Sequence, residues 1–281
     1  MNRARPEDRG RLTFAAALLL LVLFQGLAGC ASSRPAPPPE DAALLEWARE
    51  GLAARDYRDV LLALQAYLPG HAGSRYTEEA TLLIGRMQYE LGMNLEAEEQ
   101  FRKLLHDFPG GEFAPEATYY LALTLFAQSR GPQLDQTETR EALDQFRSFV
   151  SRYPGHALVP RAEEHILSIR SKLAEKEFLN GKLYLRRGLL RPARFYFEER
   201  VVKEYGDTRW ASPAKLQLAR SYEETKEWSS AARWAEDVLE SHPEPAEEEA
   251  ARDILDRARK QMAAGKAPIP PSETSGSSGP R

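Results

Sequence analysis

The sequence predicts an all-α chain built as a helical repeat array, and three observations predict it. One pattern recurs five times: a small residue, a bulky one four positions later, then an aromatic-proline stop. It is clearest in residues 139–154, where Ala142, Phe146 and Tyr153-Pro154 mark it; Ala97, Phe101 and Phe108-Pro109 fall on the same marks. Ala231, Ala235 and His242-Pro243 repeat it, and residues 56–69 hold a looser version. Ala193, Phe197 and Tyr205 form a copy one residue longer, with Gly206 in place of proline. Residues four apart share one face of a helix, and proline forbids continuation, so each copy describes one packed helix and its end. The second observation is spacing. Successive terminators lie 40, 45, 52 and 37 residues apart, which is room for a helix pair. The third is the Gly-Tyr-Ala-Phe-Pro character at that spacing, which fits a tetratricopeptide-like pair, about 34 residues in its minimal form, with extended loops. The expected architecture is a right-handed solenoid of about five such pairs with a long central helix and a C-terminal capping helix. A single hairpin cannot bury both faces, so neighbours stack and curve into a concave surface.

Residues 1–29 stand apart from this array. Arg3, Arg5, Arg9 and Arg11 make a basic start and residues 12–24 an apolar run too short for a comfortable membrane span. Leu27-Ala28-Gly29-Cys30 follows, and Cys30 is the one cysteine in the chain. This resembles the lipobox of bacterial lipoproteins, which implies cleavage before Cys30 and a covalent lipid on it. In that class Ala31, rather than Asp, after the cysteine implies export to the outer membrane. Several acyl chains, at about 0.8 kcal/mol per buried methylene, would hold the protein at a membrane. Residues 30–39 read as a lipidated Pro-rich tether; Pro35 and Pro37, Pro38 and Pro39 favour polyproline II, and nine residues reach about 28 Å.

Helical pairs then follow in order: residues 41–54 with 57–68, 76–91 with 95–108, and 113–128 with 139–153. Gly51 and Ala53 are expected as close-packing positions in the first pair, and Gly85 and Tyr89 as small and large partners in the second. A longer loop, 129–138, divides the third pair. Residues 160–188 read as one long helix of about 43 Å, with Ala162, Ile166, Ile169 and Leu173 on one face and Gly181 as its weak point. Residues 192–205 complete the fourth pair, 210–225 with 229–241 form the fifth, and 245–263 cap the array. The expected domains are N-terminal repeats at 40–155 and C-terminal repeats with the capping helix at 156–263. Residues 264–281 are low in apolar side chains and read as a disordered tail.

Little in the chain points to chemistry. No P-loop, G-x-G-x-x-G, H-E-x-x-H or G-x-S-x-G occurs, and one cysteine supports neither an intrachain disulfide nor a zinc motif. His71, His106, His156 and His242 sit at or near repeat terminators, and His165 stands alone on the long helix, so no metal or other cofactor is expected. Removing residues 1–29 shifts the formal charge from −4 to about −6, which disfavours general nucleic-acid binding. The clearest single-sign cluster is Lys182, Arg186, Arg187, Arg191, Arg194, Arg200 and Lys203. It reads either as a solvated face balanced by Glu198, Glu199 and Glu204, or as a docking patch for an acidic partner. Tyr119, Tyr120, Tyr184, Phe195, Tyr196 and Phe197 read mostly as core, with a minority free to hold an extended peptide.

Three phrases are more specific than the repeat pattern. D-Q-T-E-T at 135–139, R-S-K-L-A-E-K-E at 170–177 and Y-G-D-T at 205–208 come in one order. That succession, covering residues 40–243, resembles the outer-membrane assembly lipoprotein family of BamD, also called YfiO or ComL. Gly206 replaces the family's usual proline, and the extra residue and the Pro-rich tail are further departures. The resemblance implies five tetratricopeptide repeats, no catalysis, and a lipid-anchored, periplasm-facing place in the β-barrel assembly (BAM) complex. As implied partners it brings the POTRA domains of the barrel protein BamA, the other BAM lipoproteins, and unfolded outer-membrane proteins. The C-terminal repeats would dock on POTRA domains, which makes Arg186, Arg187, Arg191 and Arg194 the candidate partner site. Another tetratricopeptide envelope adaptor, serving Tol-linked constriction or peptidoglycan enzymes, and an unrecognised envelope enzyme are the competing readings.

Overall fold

The computed structural model describes residues 36–265 apart from 72 and 242. The signal segment, Cys30, the first part of the tether, His242 and residues 266–281 therefore lie outside the described residues. Among the described residues every regular element is helical, and no strand occurs.

The chain forms two compact units with their boundary at Leu91 and Gly92. The first holds α1 (Asp41–Ala54), α2 (Tyr57–Tyr67), a 3-10 turn (Leu68–Gly70) and α3 (Thr77–Glu90). The proline at 69 tightens the end of α2 as its missing N–H requires. The α1, α2 and α3 helices pack mutually through Leu45, Ala48, Val60, Leu64, Ala80 and Met87. Gly51 is buried in α1, but Ala53, expected as a close-packing position, is exposed. The buried stripe runs through 44, 45, 48 and 51, and residue 53 falls outside it. Glu79, only 8% exposed, accepts a hydrogen bond of 2.8 Å from Arg49 Nη2, which fastens α3 to α1.

The second unit holds α4 (Asn94–Asp107), α5 (Ala114–Gln128), α6 (Thr137–Arg152), α7 (Val159–Arg186) and α8 (Leu190–Phe195). The last of these continues as a π-helix over Tyr196–Lys203. Then come α9 (Ala211–Glu224), α10 (Trp228–Glu240) and α11 (Pro245–Gly265). Each helix of this unit packs on the next, and α11 also covers α9. The repeat marks are the spine of the stack: Ala97 and Phe101, Ala142 and Phe146, Ala193 and Phe197, and Ala231 and Ala235 are all wholly buried. Each buried Phe contributes about 1.5–3 kcal/mol over an exposed one.

The longer fourth copy has a structural cause. In α4, α6 and α10 the next buried residue follows the bulky mark by three positions (Leu104, Phe149, Val238); after Phe197 it is Val201, four positions on. The extra residue lies between these two, and the π-helix, which widens one turn by one residue, absorbs it without displacing either anchor. The substitution of glycine for proline follows. A Cβ at Gly206 would lie 2.6 Å from the Val202 carbonyl oxygen, closer than any side-chain-bearing residue, proline included, tolerates. The Gly181 position is equally constrained: a Cβ there would lie 2.6 Å from Phe197 Cε1. What the sequence presents as a weak point in α7 is the place where the π-helix that follows α8 brings its Phe197 ring close.

Three of the tight turns between helices share one geometry. Arg55 and Lys226 adopt left-handed backbone, as does Gly188. The next amide reaches back five residues in each case, from Asp56 to Gly51 O (2.9 Å), Leu189 to Tyr184 O (3.0 Å) and Glu227 to Tyr222 O (2.9 Å). This arrangement satisfies carbonyls that the helix end would otherwise leave open.

Candidate functional site

The 28 residues of α7 span about 42 Å, and the three specific phrases meet along it. On one side is the 129–136 loop. The Gln136 side chain is wholly buried, and its Nε2 donates to the carbonyls of Gly131 (2.8 Å), Leu134 (3.2 Å) and Asp135 (3.1 Å). Its Oε1 accepts from the buried Thr139 hydroxyl at 2.8 Å. From α7, Lys176 Nζ donates to the Leu134 carbonyl (2.7 Å) and Lys172 Nζ to Ser129 Oγ (2.6 Å). Burial pushes the Lys172 amine below its ordinary value. On the other side Arg170 Nε donates to Asp207 Oδ2 (2.8 Å), and its Nη2 to the Glu204 carbonyl (2.9 Å). The guanidinium holds the Asp207 carboxyl below the usual carboxylate range. Thr208 Oγ1 closes that loop on the Tyr205 carbonyl at 2.8 Å. The phrases are the fastenings that hold α7 between its two flanking loops.

This fixed helix ends in the basic tip. Arg186, Arg187 and Arg191 are exposed around the α7–α8 turn, and none has an ion-pair partner among the described residues. Arg194 differs. Its side chain is 13% exposed and its donors are spent inside the molecule: Nε on Ser221 Oγ (2.7 Å), Nη1 on Glu227 Oε1 (2.7 Å) and Nη2 on the Ser221 carbonyl (2.6 Å). The guanidinium carbon lies 3.7 Å from the centroid of the Tyr222 ring. Arg194 therefore clamps α8 to the end of α9 and is not available to a partner in this conformation. The rest of the cluster also divides: Arg200 pairs with Glu204 and Lys203 with Glu199, both within the helix, while Lys182 lies near the Phe178 ring. Arg194 thus fastens α8, which carries Arg191, while Arg186 and Arg187 stand at the end of α7 on the other side of the turn.

The aromatic residues around this tip do not all turn inward. Phe197 is wholly buried, but Phe195 is 54% exposed, with Leu189 and Leu183 exposed nearby in the chain. Tyr196 stacks on Tyr184 at 5.3 Å, and the Phe195 ring meets Tyr196 edge-on at 5.9 Å. Burial pushes the Tyr196 hydroxyl above its ordinary value. The F-Y-F run reads from sequence as mostly core; Phe197 is buried and Tyr196 half-buried, and the helix turn that points Phe197 inward leaves Phe195 outside. An aromatic at that position, one step before the lengthened turn, is the only sequence signal that marks it.

Three of the histidines have local neighbours that account for them. His71 Nδ1 lies 2.8 Å from the Tyr67 carbonyl and His156 Nδ1 accepts from the Leu158 amide at 3.2 Å. His165 stacks on Phe146 at 5.1 Å with Tyr119 and Phe126 beyond. Among the described residues no group of three or more His, Cys, Asp or Glu could hold a metal ion, and no helix is long and apolar enough to cross a membrane.

Comparison with known proteins finds similarity both in sequence and in shape. Residues 39–214 match the family model YfiO, described as outer membrane lipoprotein. The "outer membrane protein assembly factor BamD" of Caulobacter vibrioides is 28% identical over 152 residues, 54% of this chain and 50% of that protein. The chain thus matches about half the length of this curated relative. A tetratricopeptide repeat protein from Parabacteroides merdae superposes with a TM-score of 0.34 at 14% identity, over 82% of this chain and 81% of that one.

Proposed function

Because this chain belongs to the YfiO family of outer membrane lipoproteins, we propose that it is a non-enzymatic scaffold of β-barrel assembly. In this reading Cys30 carries the lipid that holds it on the periplasmic face of the outer membrane. The α7–α8 tip docks on the POTRA domains of a BamA-like barrel protein, with other BAM lipoproteins alongside and unfolded outer-membrane proteins as clients. The observation that carries the docking is the basic tip: three exposed guanidinium groups with no ion pair among the described residues, at the end of a helix fastened at both flanks and on the start of the next. Such charge steers encounter with an acidic surface and adds less to raw affinity.

The test is affinity capture of the tagged, lipidated protein from gently solubilised envelopes, beside the Arg186/Arg187/Arg191→Glu form. Recovery of a POTRA-bearing barrel protein that weakens on charge reversal supports scaffold and docking together. Unchanged recovery keeps the scaffold and removes the tip from it. Recovery of Tol components or peptidoglycan enzymes in its place assigns the chain to another envelope adaptor.

A further inference from the structure

We infer that the energetic centre of the α7–α8 tip is aromatic: Phe195, backed by Tyr196 and Tyr184, is the anchor for a protein surface with an apolar centre and an acidic rim. This rests on the docking reading above and names the partner chemistry of the same site. Phe195 is more than half exposed, although it lies in a helix whose Ala193 and Phe197 are wholly buried. It is not a lone surface ring. Its edge-on contact with Tyr196 and the Tyr196–Tyr184 stack make three rings continuous across two helices, with the exposed Leu189 on the turn between them. Continuous exposed apolar surface marks interaction sites where scattered side chains do not.

The anchor is also pre-ordered. Phe195 sits where α8 passes into the π-helix, and the buried Phe197 and Val201 fix the backbone on its C-terminal side. Arg194, clamped on Ser221 and Glu227, fixes the residue before it. A rigid aromatic with two rotatable bonds loses little entropy on binding, and centrally placed aromatics ringed by polar groups dominate interface energetics. The charge selects the partner. Glu199, Glu204 and Glu227 are matched by Lys203, Arg200 and Arg194. Against Glu198, which these ion pairs leave over, stand Arg186, Arg187 and Arg191, so the charge remaining around Phe195 and Leu189 is net positive and the complementary rim is acidic.

The experiment measures binding of the full-length lipidated chain to the purified BamA-like barrel protein in detergent, across a range of salt. Phe195→Ala is expected to weaken binding at least tenfold while leaving the salt dependence and the melting temperature unchanged. Phe195→Tyr should retain affinity, and Leu95→Ala, at a 72% exposed leucine on α4, should have no effect. Arg186/Arg187/Arg191→Glu should instead slow association and flatten the salt dependence. Wild-type binding with Phe195→Ala within twofold of it overturns the aromatic anchor and leaves the docking reading standing. A wild-type chain that does not bind the barrel protein overturns both.

Discussion

The ring of Phe197 occupies the space that a side chain at residue 181 would fill: a Cβ on Gly181 would meet Phe197 Cε1 at 2.6 Å. Helix propensity alone favours Gly181→Ala by about 1 kcal/mol. Overpacking opposes it by about 1–3 kcal/mol, and Phe197 has no room to retreat because Phe178 lies 5.5 Å away and Trp210 lies 5.0 Å beyond Phe178. Gly181→Ala should therefore lower stability in urea denaturation, and Phe197→Leu in the same chain should recover part of the loss.

Restoring the usual aromatic-proline terminator should harm this protein. Gly206→Pro places a Cβ against the Val202 carbonyl oxygen and should lose about 1–3 kcal/mol. Deleting Glu198 together with Gly206→Pro removes the residue that the π-helix absorbs, and the double change should be better tolerated than the proline alone. Thermal melts of the parent and the two variants decide it; a stable Gly206→Pro single variant would refute the link between the lengthened turn and the glycine.

The arginines of the tip should separate by stability. Arg194→Ala strands the buried Ser221 hydroxyl and frees Glu227, a loss of about 2 kcal/mol. Arg194→Lys should recover only a fraction, since an ammonium cannot span Ser221, Glu227 and the Tyr222 ring in one plane. Arg186→Ala and Arg187→Ala should stay within about 0.5 kcal/mol of the parent. Equal losses at all three positions would show that the clamp is not special to Arg194.

Stability should also fall on mild acidification through His165. Burial among Phe146, Tyr119 and Phe126, together with the Arg161 charge, lowers its pKa from 6.5, against an opposing pull from Glu164. A histidine with a folded pKa below its unfolded one binds its proton more readily in the unfolded chain. Its contribution is complete above about pH 6.5 and is lost as pH falls through the lower folded value. Melting temperatures from pH 8 to pH 5 should drop less in His165→Phe than in the parent chain.

Much of this was legible in the chain. Local rules place the helices: α1 and α5 end where the periodicity ends, and Pro69, Pro109, Pro154 and Pro243 each follow the close of a helix. The small–bulky pairs mark buried positions because a four-residue spacing fixes a shared face whatever the partner is. The same logic fails for Ala53, whose small side chain suits either close packing or solvent. At the tip, composition found the arginine cluster but could not divide it, because Arg187 and Arg194 differ only in what lies across from them.

The sequence by itself determined which segments are helical, about where they stop and, through the small–bulky marks, which residues of the repeats face a neighbour, since these follow from backbone sterics and periodicity within one turn. It also marked the fourth repeat as one residue too long. Only the tertiary structure decided what that residue does, that Gly181 and Gly206 are required by close approach, that Arg194 is a clamp, and that Phe195 stays outside. The Gly206 contact is with Val202 one widened turn back, but the Gly181 and Arg194 outcomes depend on atoms 16 and 33 positions apart, Phe197 over Gly181 and Arg194 on Glu227. No periodicity along the chain encodes the distance between them.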